Sequence, residues 1–129
     1  HAAGVADRVR LHGHLPDDDL AELYGRARVF VFLSEYEGFG MTPLEALAAG
    51  VPLVVGDTTV AHEVYGGAAR FVPVDDPNFV AREIITVMRD DAVRAGLLAH
   101  APPLLARFTW DRAAAETLAV LVQATEVGP

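Results

Sequence analysis

Neither cysteine nor lysine occurs among the 129 residues. The lack of cysteine excludes disulfides and thiolate metal sites and makes a reducing, cytoplasmic home the expectation. All ten basic residues are arginine; with the abundant alanine this reads as the coding bias of a GC-rich, bacterial genome. Positive charge is scarce: the formal net charge is −8, which argues against nucleic acid or an anionic membrane as partner, since both need a basic surface. No apolar run approaches the ~20 residues that cross a bilayer. The first residues carry neither an initiator Met nor a basic-then-apolar leader, so the chain is expected to be cut from a longer one. No nucleophile elbow with a Ser–His–Asp order is present, and the glycine-bearing stretch lacks the Lys-Ser/Thr of a P-loop.

What is present is 52% apolar and 22% charged residues, the balance of one globular domain with a proper core. Val9–Gly13 alternates apolar and polar and predicts a short strand. Pro16-Asp17-Asp18-Asp19 opens a helix with Leu20, Leu23 and Tyr24 on one face. Val29–Leu33 is a continuous apolar run, expected to be a strand covered on both faces. After a polar loop from Ser34 to Met41, Thr42–Ala49 predicts a helix that Gly50 and Pro52 stop. Pro52–Val55 is a second buried strand, Ala61–Val64 a short helical piece ended by Gly66-Gly67, and Ala69–Pro73 an edge strand. Asp76 and Pro77 cap and open a helix to about Arg89. Pro102-Pro103 ends one helix and starts another, and Thr109-Trp110-Asp111 starts a last one, which Trp110 is expected to anchor to the core. Apolar strands alternating with helices predict an α/β fold, a parallel sheet wrapped by helices on both faces.

Ligands of open parallel sheets bind beyond the carboxyl ends of the strands, and the Ser34–Met41 loop stands at such an end. Its glycines admit a close backbone approach, and the N–H groups at the start of the next helix form an anion site that an acidic chain would otherwise lack. From the residues alone, a phosphate or a carboxylate fits there. The same residues also allow a purely structural role. Thr42-Pro43-Leu44-Glu45 has the spacing of a capping box, Glu37 suits a solvated loop carboxylate, and Phe39 suits packing.

Glu37 and Glu45, with Gly-Phe-Gly-Met-Thr-Pro-Leu between them and Ala-Leu-Ala-Ala-Gly-Val-Pro after them, resemble the E-x7-E signature of retaining, family-4-type glycosyltransferases. Asp7–Gly13, Leu20–Tyr24, Glu63–Ala69 and Phe108-Thr109-Trp110 are also similar to segments of that family, in the same order. The resemblance implies that residues 1–129 are one partial, Rossmann-like, nucleotide-sugar-binding domain. It would be the C-terminal half of a GT-B fold without its first strand–helix unit. It implies transfer of a sugar from a nucleoside diphosphate to an acceptor hydroxyl with retained configuration, without a metal or other cofactor. Glu37 would accept from sugar hydroxyls and Glu45 from the ribose. Gly38, Phe39 and Gly40 would line the sugar, Met41, Thr42 and Leu44 would offer amides to the diphosphate, and His14 and Leu15 would face the base. The family's phosphate-gripping Arg and Lys and its acceptor-binding domain would precede this chain, so the chain alone is expected not to turn over. Any membrane link would run through that missing half. Leu33-Ser34 replaces the family's common Pro-Ser. A sheet without its first strand exposes an edge and invites self-association. A non-catalytic nucleotide-sugar or partner-binding module, and another GT-B enzyme such as a sugar-nucleotide epimerase, also fit these residues.

His12 and His14 share a strand face but have no third metal ligand nearby in sequence. His62 suits a hydrogen bond to backbone, and the Asp17–Asp19, Asp75-Asp76 and Asp90-Asp91 clusters suit helix starts and junctions.

Overall fold

The computed structural model describes residues 4–126. Three parallel strands form its sheet in the order β1 (Phe30–Phe32), β2 (Leu53–Gly56), β3 (Ala69–Val72). Phe30 pairs with Leu53 and Phe32 with Val55, and Leu53 pairs in turn with Ala69 and Gly56 with Val72. Alternate residues of β2 therefore face opposite layers. Leu53 and Val55 pack with Leu47 of α2 (Met41–Ala48), Val64 of α3 (Thr59–Tyr65) and Leu104 of α6 (Ala101–Leu105). Val54 faces the other way, onto Val80 and Val87 of α4 (Pro77–Arg89) and Leu97 of α5 (Asp91–Ala99). β2 is buried at every position because helices cover both faces, the arrangement that its unbroken apolar sequence predicts.

Local chemistry sets the helix ends. The side chain of Asp76 accepts from the Phe79 amide ahead of Pro77, and Asp90 accepts from both Ala92 and Val93. Thr58 caps α3 through the Ala61 amide. Pro102 and Pro103 are the second and third residues of α6, within the first turn, where N–H groups have no intrahelical acceptor and a missing one costs nothing. Gly50, at φ 78°, ends α2. No helix among the described residues is long and apolar enough to cross a membrane.

Several expectations are corrected. Val9–Gly13 forms no strand; a strand needs a hydrogen-bonding neighbour, this segment pairs with none, and Leu11 is 94% exposed. In α1 (Asp17–Arg26) Leu20 and Tyr24 turn inward but Leu23 is exposed. β1 is not covered on both faces: it is an edge strand of three residues with Val31 37% exposed. Trp110 does not anchor α7 (Trp110–Glu126). It is 89% exposed, and each residue from it to Thr125 is exposed, so no core face of the described residues receives the helix.

Candidate functional site

The loop after β1 runs past the carboxyl end of the sheet and delivers the chain to α2. Its turning point is Gly40, the helix cap, in the left-handed region at φ 85°, a conformation that costs a residue with a Cβ about 1–2 kcal/mol. The cap makes no side-chain hydrogen bond. This overturns the capping-box spacing: α2 starts at Met41, so Thr42 is its second residue and Glu45 its fifth, too far along to bond back to the cap. Helix geometry leaves the amides of the first turn without intrahelical acceptors. Pro43 has no N–H, so Met41 and Thr42, both exposed, supply the free donors of the tip. Leu44 sends its side chain into the core, so it can serve only through its main chain.

Glu37 and Phe39 line a narrow crevice together with Ser34, Gly56, Thr58 and Tyr65. Phe39 also packs edge-on against Phe108, with ring centroids 5.1 Å apart, and its far side borders an open groove formed by Met41, Phe108, Trp110 and Arg107. Glu45 lies outside this crevice, exposed on α2, where the Tyr24 hydroxyl donates to its carboxylate at 3.4 Å. The two glutamates therefore share no cavity among the described residues; the exposed tip of α2 lies between them in the chain. His14 is exposed and Leu15 half-buried on the approach to α1, and neither lines the crevice.

Each glutamate is set beside a tyrosine that no local pattern marks. Burial raises the Tyr24 phenol above its usual range, and the charge and hydrogen bond of Glu45 push it further. Burial, assisted by the charge of Glu37, pushes the Tyr65 phenol up to about 12. Tyr65 donates a buried 2.9 Å hydrogen bond to the Gly40 carbonyl. Its position is legible only as the last residue of a helix; the partner 25 residues away is not. His62, expected to bond to backbone, instead meets the Asp57 carboxylate at 2.7 Å and stacks on Phe71 at 3.8 Å. Among the described residues no three of His, Asp and Glu converge into a metal-binding group.

A family model described as "Glycosyl transferases group 1" matches residues 1–101. The chain is 36% identical over 110 residues to the O-antigen chain mannosyltransferase B of Escherichia coli, covering 85% of this chain and 29% of that protein. It is 37% identical over 131 residues to the D-inositol 3-phosphate glycosyltransferase of Xylanimonas cellulosilytica, covering 100% of this chain and 31% of that protein. The solved structure of sucrose-phosphate synthase from Thermosynechococcus elongatus matches with a TM-score of 0.81 at 25% identity, covering 98% of this chain and 33% of that one. The chain thus spans about a third of the length of these relatives. A parallel sheet layered between helices, a glycine-capped tip at its carboxyl end and a family match over most of the sequence agree: the chain belongs to the glycosyl transferases group 1 family, as a domain of the C-terminal GT-B type.

Proposed function

We propose that this chain is the donor-binding part of a retaining, family-4-type glycosyltransferase that moves a sugar from a nucleoside diphosphate to an acceptor hydroxyl. The observation that carries the reading is the tip of α2, whose glycine cap has no side chain to occupy the first amides. Met41 and Thr42, both exposed residues, have amides that helix geometry leaves without intrahelical acceptors, at the positive end of the dipole in a chain of net charge −8. Oriented amides are a ready site for phosphate oxygens, and they stabilise the negative charge that grows on a departing diphosphate without needing to reorganise.

In this reading Glu37 accepts hydroxyls of the donor sugar, beside the main chain of Gly38, Phe39 and Gly40. Glu45 accepts the ribose hydroxyls, which an ionised carboxylate with several lone pairs does well. Because Glu37 and Glu45 occupy separate places, an elongated donor would lie across the helix tip with its sugar at one carboxylate and its ribose at the other. His14 and Leu15 face the base, and no metal takes part. The acceptor is held by a part of the protein outside this chain, so the chain binds donor and does not turn over, and it works in the cytoplasm.

Calorimetric titration of the chain with UDP, GDP and ADP tests the proposal. Saturable binding of one of them, tighter than that of its nucleoside, is expected; no binding of any of the three would leave only a structural module.

A further inference from the structure

Tyr65 closes α3, and its ring is buried against the sheet. Its hydroxyl reaches back to the carbonyl of Gly40, the residue whose left-handed turn carries the loop into α2. The carbonyl of Gly40 and the N–H of Met41 belong to one peptide unit, and that unit is planar. A group that pins the oxygen therefore also aims the N–H, on the opposite edge of the same plane. The phenol has a second neighbour: it shares the crevice with Glu37, whose charge it feels. At neutral pH it is protonated, hence a donor, and the carbonyl is the acceptor it has found.

We infer that Tyr65 is a positioning residue for the phosphates of the donor: its hydroxyl fixes the Gly40–Met41 peptide plane so that the Met41 amide points outward from the tip of α2. This rests on the reading of the Glu37–Glu45 loop as the donor site. Tyr24 plays no part in it, since its hydroxyl holds the Glu45 carboxylate, one turn further along the helix.

The test is Tyr65→Phe in the 15N-labelled chain, which keeps the ring and removes only the hydroxyl, with Tyr24→Phe as its counterpart. In Tyr65→Phe the amide resonances of Met41 and Thr42 should move and their hydrogen exchange quicken, while those of Val54 and Val55 in β2 stay put. Affinity for UDP or GDP, whichever the wild type binds, should fall by roughly 5-fold up to at most about 150-fold, the range for deleting one partner of a buried hydrogen bond, with affinity for the matching nucleoside unchanged. Tyr24→Phe should leave the Met41 and Thr42 amides where they were. Unmoved Met41 and Thr42 amides with wild-type nucleotide affinity would overturn the inference, and so would loss of the whole spectrum, β2 included, which would make Tyr65 a core residue and nothing more. A wild type that binds no nucleotide would end the donor-site reading and the phosphate role together, while the amide spectra still report on the grip of Tyr65 on the peptide.

Discussion

The hydroxyl of Tyr65 stands where a side chain on residue 40 would have to begin: a Cβ built on Gly40 overlaps it. Two separate constraints thus select glycine there, the left-handed φ of 85° and the phenol. Gly38, two residues earlier, meets neither, with open space around it. Gly40→Ala should cost roughly 2–4 kcal/mol, combining the left-handed penalty with a displaced buried hydrogen bond. Gly38→Ala should stay within ~0.5 kcal/mol, as surface changes do. Urea unfolding of the two variants measures the contrast, and equal costs would mean that Tyr65 does not constrain the loop.

Tyr65 also predicts an alkaline limb in stability. Its phenol is pushed from the ordinary 10.0 up to about 12, so between those values the folded chain holds a proton that the unfolded chain releases. Stability falls with rising pH wherever the native state binds more protons. The contribution of Tyr65 is therefore whole below pH 10 and drains away towards pH 12. Chemical denaturation across that interval should show the wild type losing stability more steeply than Tyr65→Phe, and parallel curves would show that the phenol titrates alike in both states.

What could be read in advance was what neighbours in sequence decide. Asp76-Pro77 and Asp90 announce helix starts because a cap bonds an amide two or three residues ahead, and Pro102-Pro103 does so because proline is tolerated only in a helix's first turn. The apolar run Leu53–Val55 announces a strand between two layers for a similarly local reason. The errors arise where a distant partner decides. Val9–Gly13 has the alternation of a strand but no strand to pair with, and Trp110 has the bulk of a core residue but no core within reach. Thr42 and Glu45 have capping-box spacing, yet the cap falls on Gly40, two residues before Thr42, and the box dissolves. The glycine-bearing loop and its two carboxylates were legible, and the tyrosines that bond to Glu45 and to the Gly40 carbonyl, 21 and 25 residues away in sequence, were not.

Placement of the two glutamates on different surfaces separates their expected effects on ligand binding. Glu37→Ala should weaken a nucleotide-sugar more than the bare nucleotide, whereas Glu45→Ala should weaken both, each by ~1–3 kcal/mol where a polar partner is left unsatisfied. UDP-glucose against UDP, and GDP-mannose against GDP, are the pairs to compare by calorimetry. Identical losses in the two variants would mean that sugar and ribose are not divided between these carboxylates.

α7 predicts an absence of effect. Leu118 and Leu121 lie on its exposed surface, so neither side chain has burial to lose on substitution. Leu118→Ser with Leu121→Ser should leave the unfolding free energy within ~0.5 kcal/mol of wild type. Trp110, the one tryptophan in the sequence, should emit as a water-exposed indole and be quenched freely by iodide. A blue-shifted, protected emission or a large loss on the double substitution would mean that α7 packs on something in solution, a second copy included.

The free side of β1 is the place for such an association to start. Its partner on one side is β2, and among the described residues no strand occupies the other. The unpaired backbone groups of Phe30–Phe32 are therefore open to a strand from another molecule, and Val31 adds an exposed apolar side chain beside them. Natural sheets protect such edges with charge, above all lysine, and this sequence has none to offer. The wild type should grow in apparent mass with concentration, by light scattering at neutral pH. Val31→Lys, which sets a charge on the exposed edge, should shift that growth to higher concentration with little change in stability. If the wild type scatters as a monomer at every concentration, or if Val31→Lys associates as readily, the edge of β1 is not what draws the copies together.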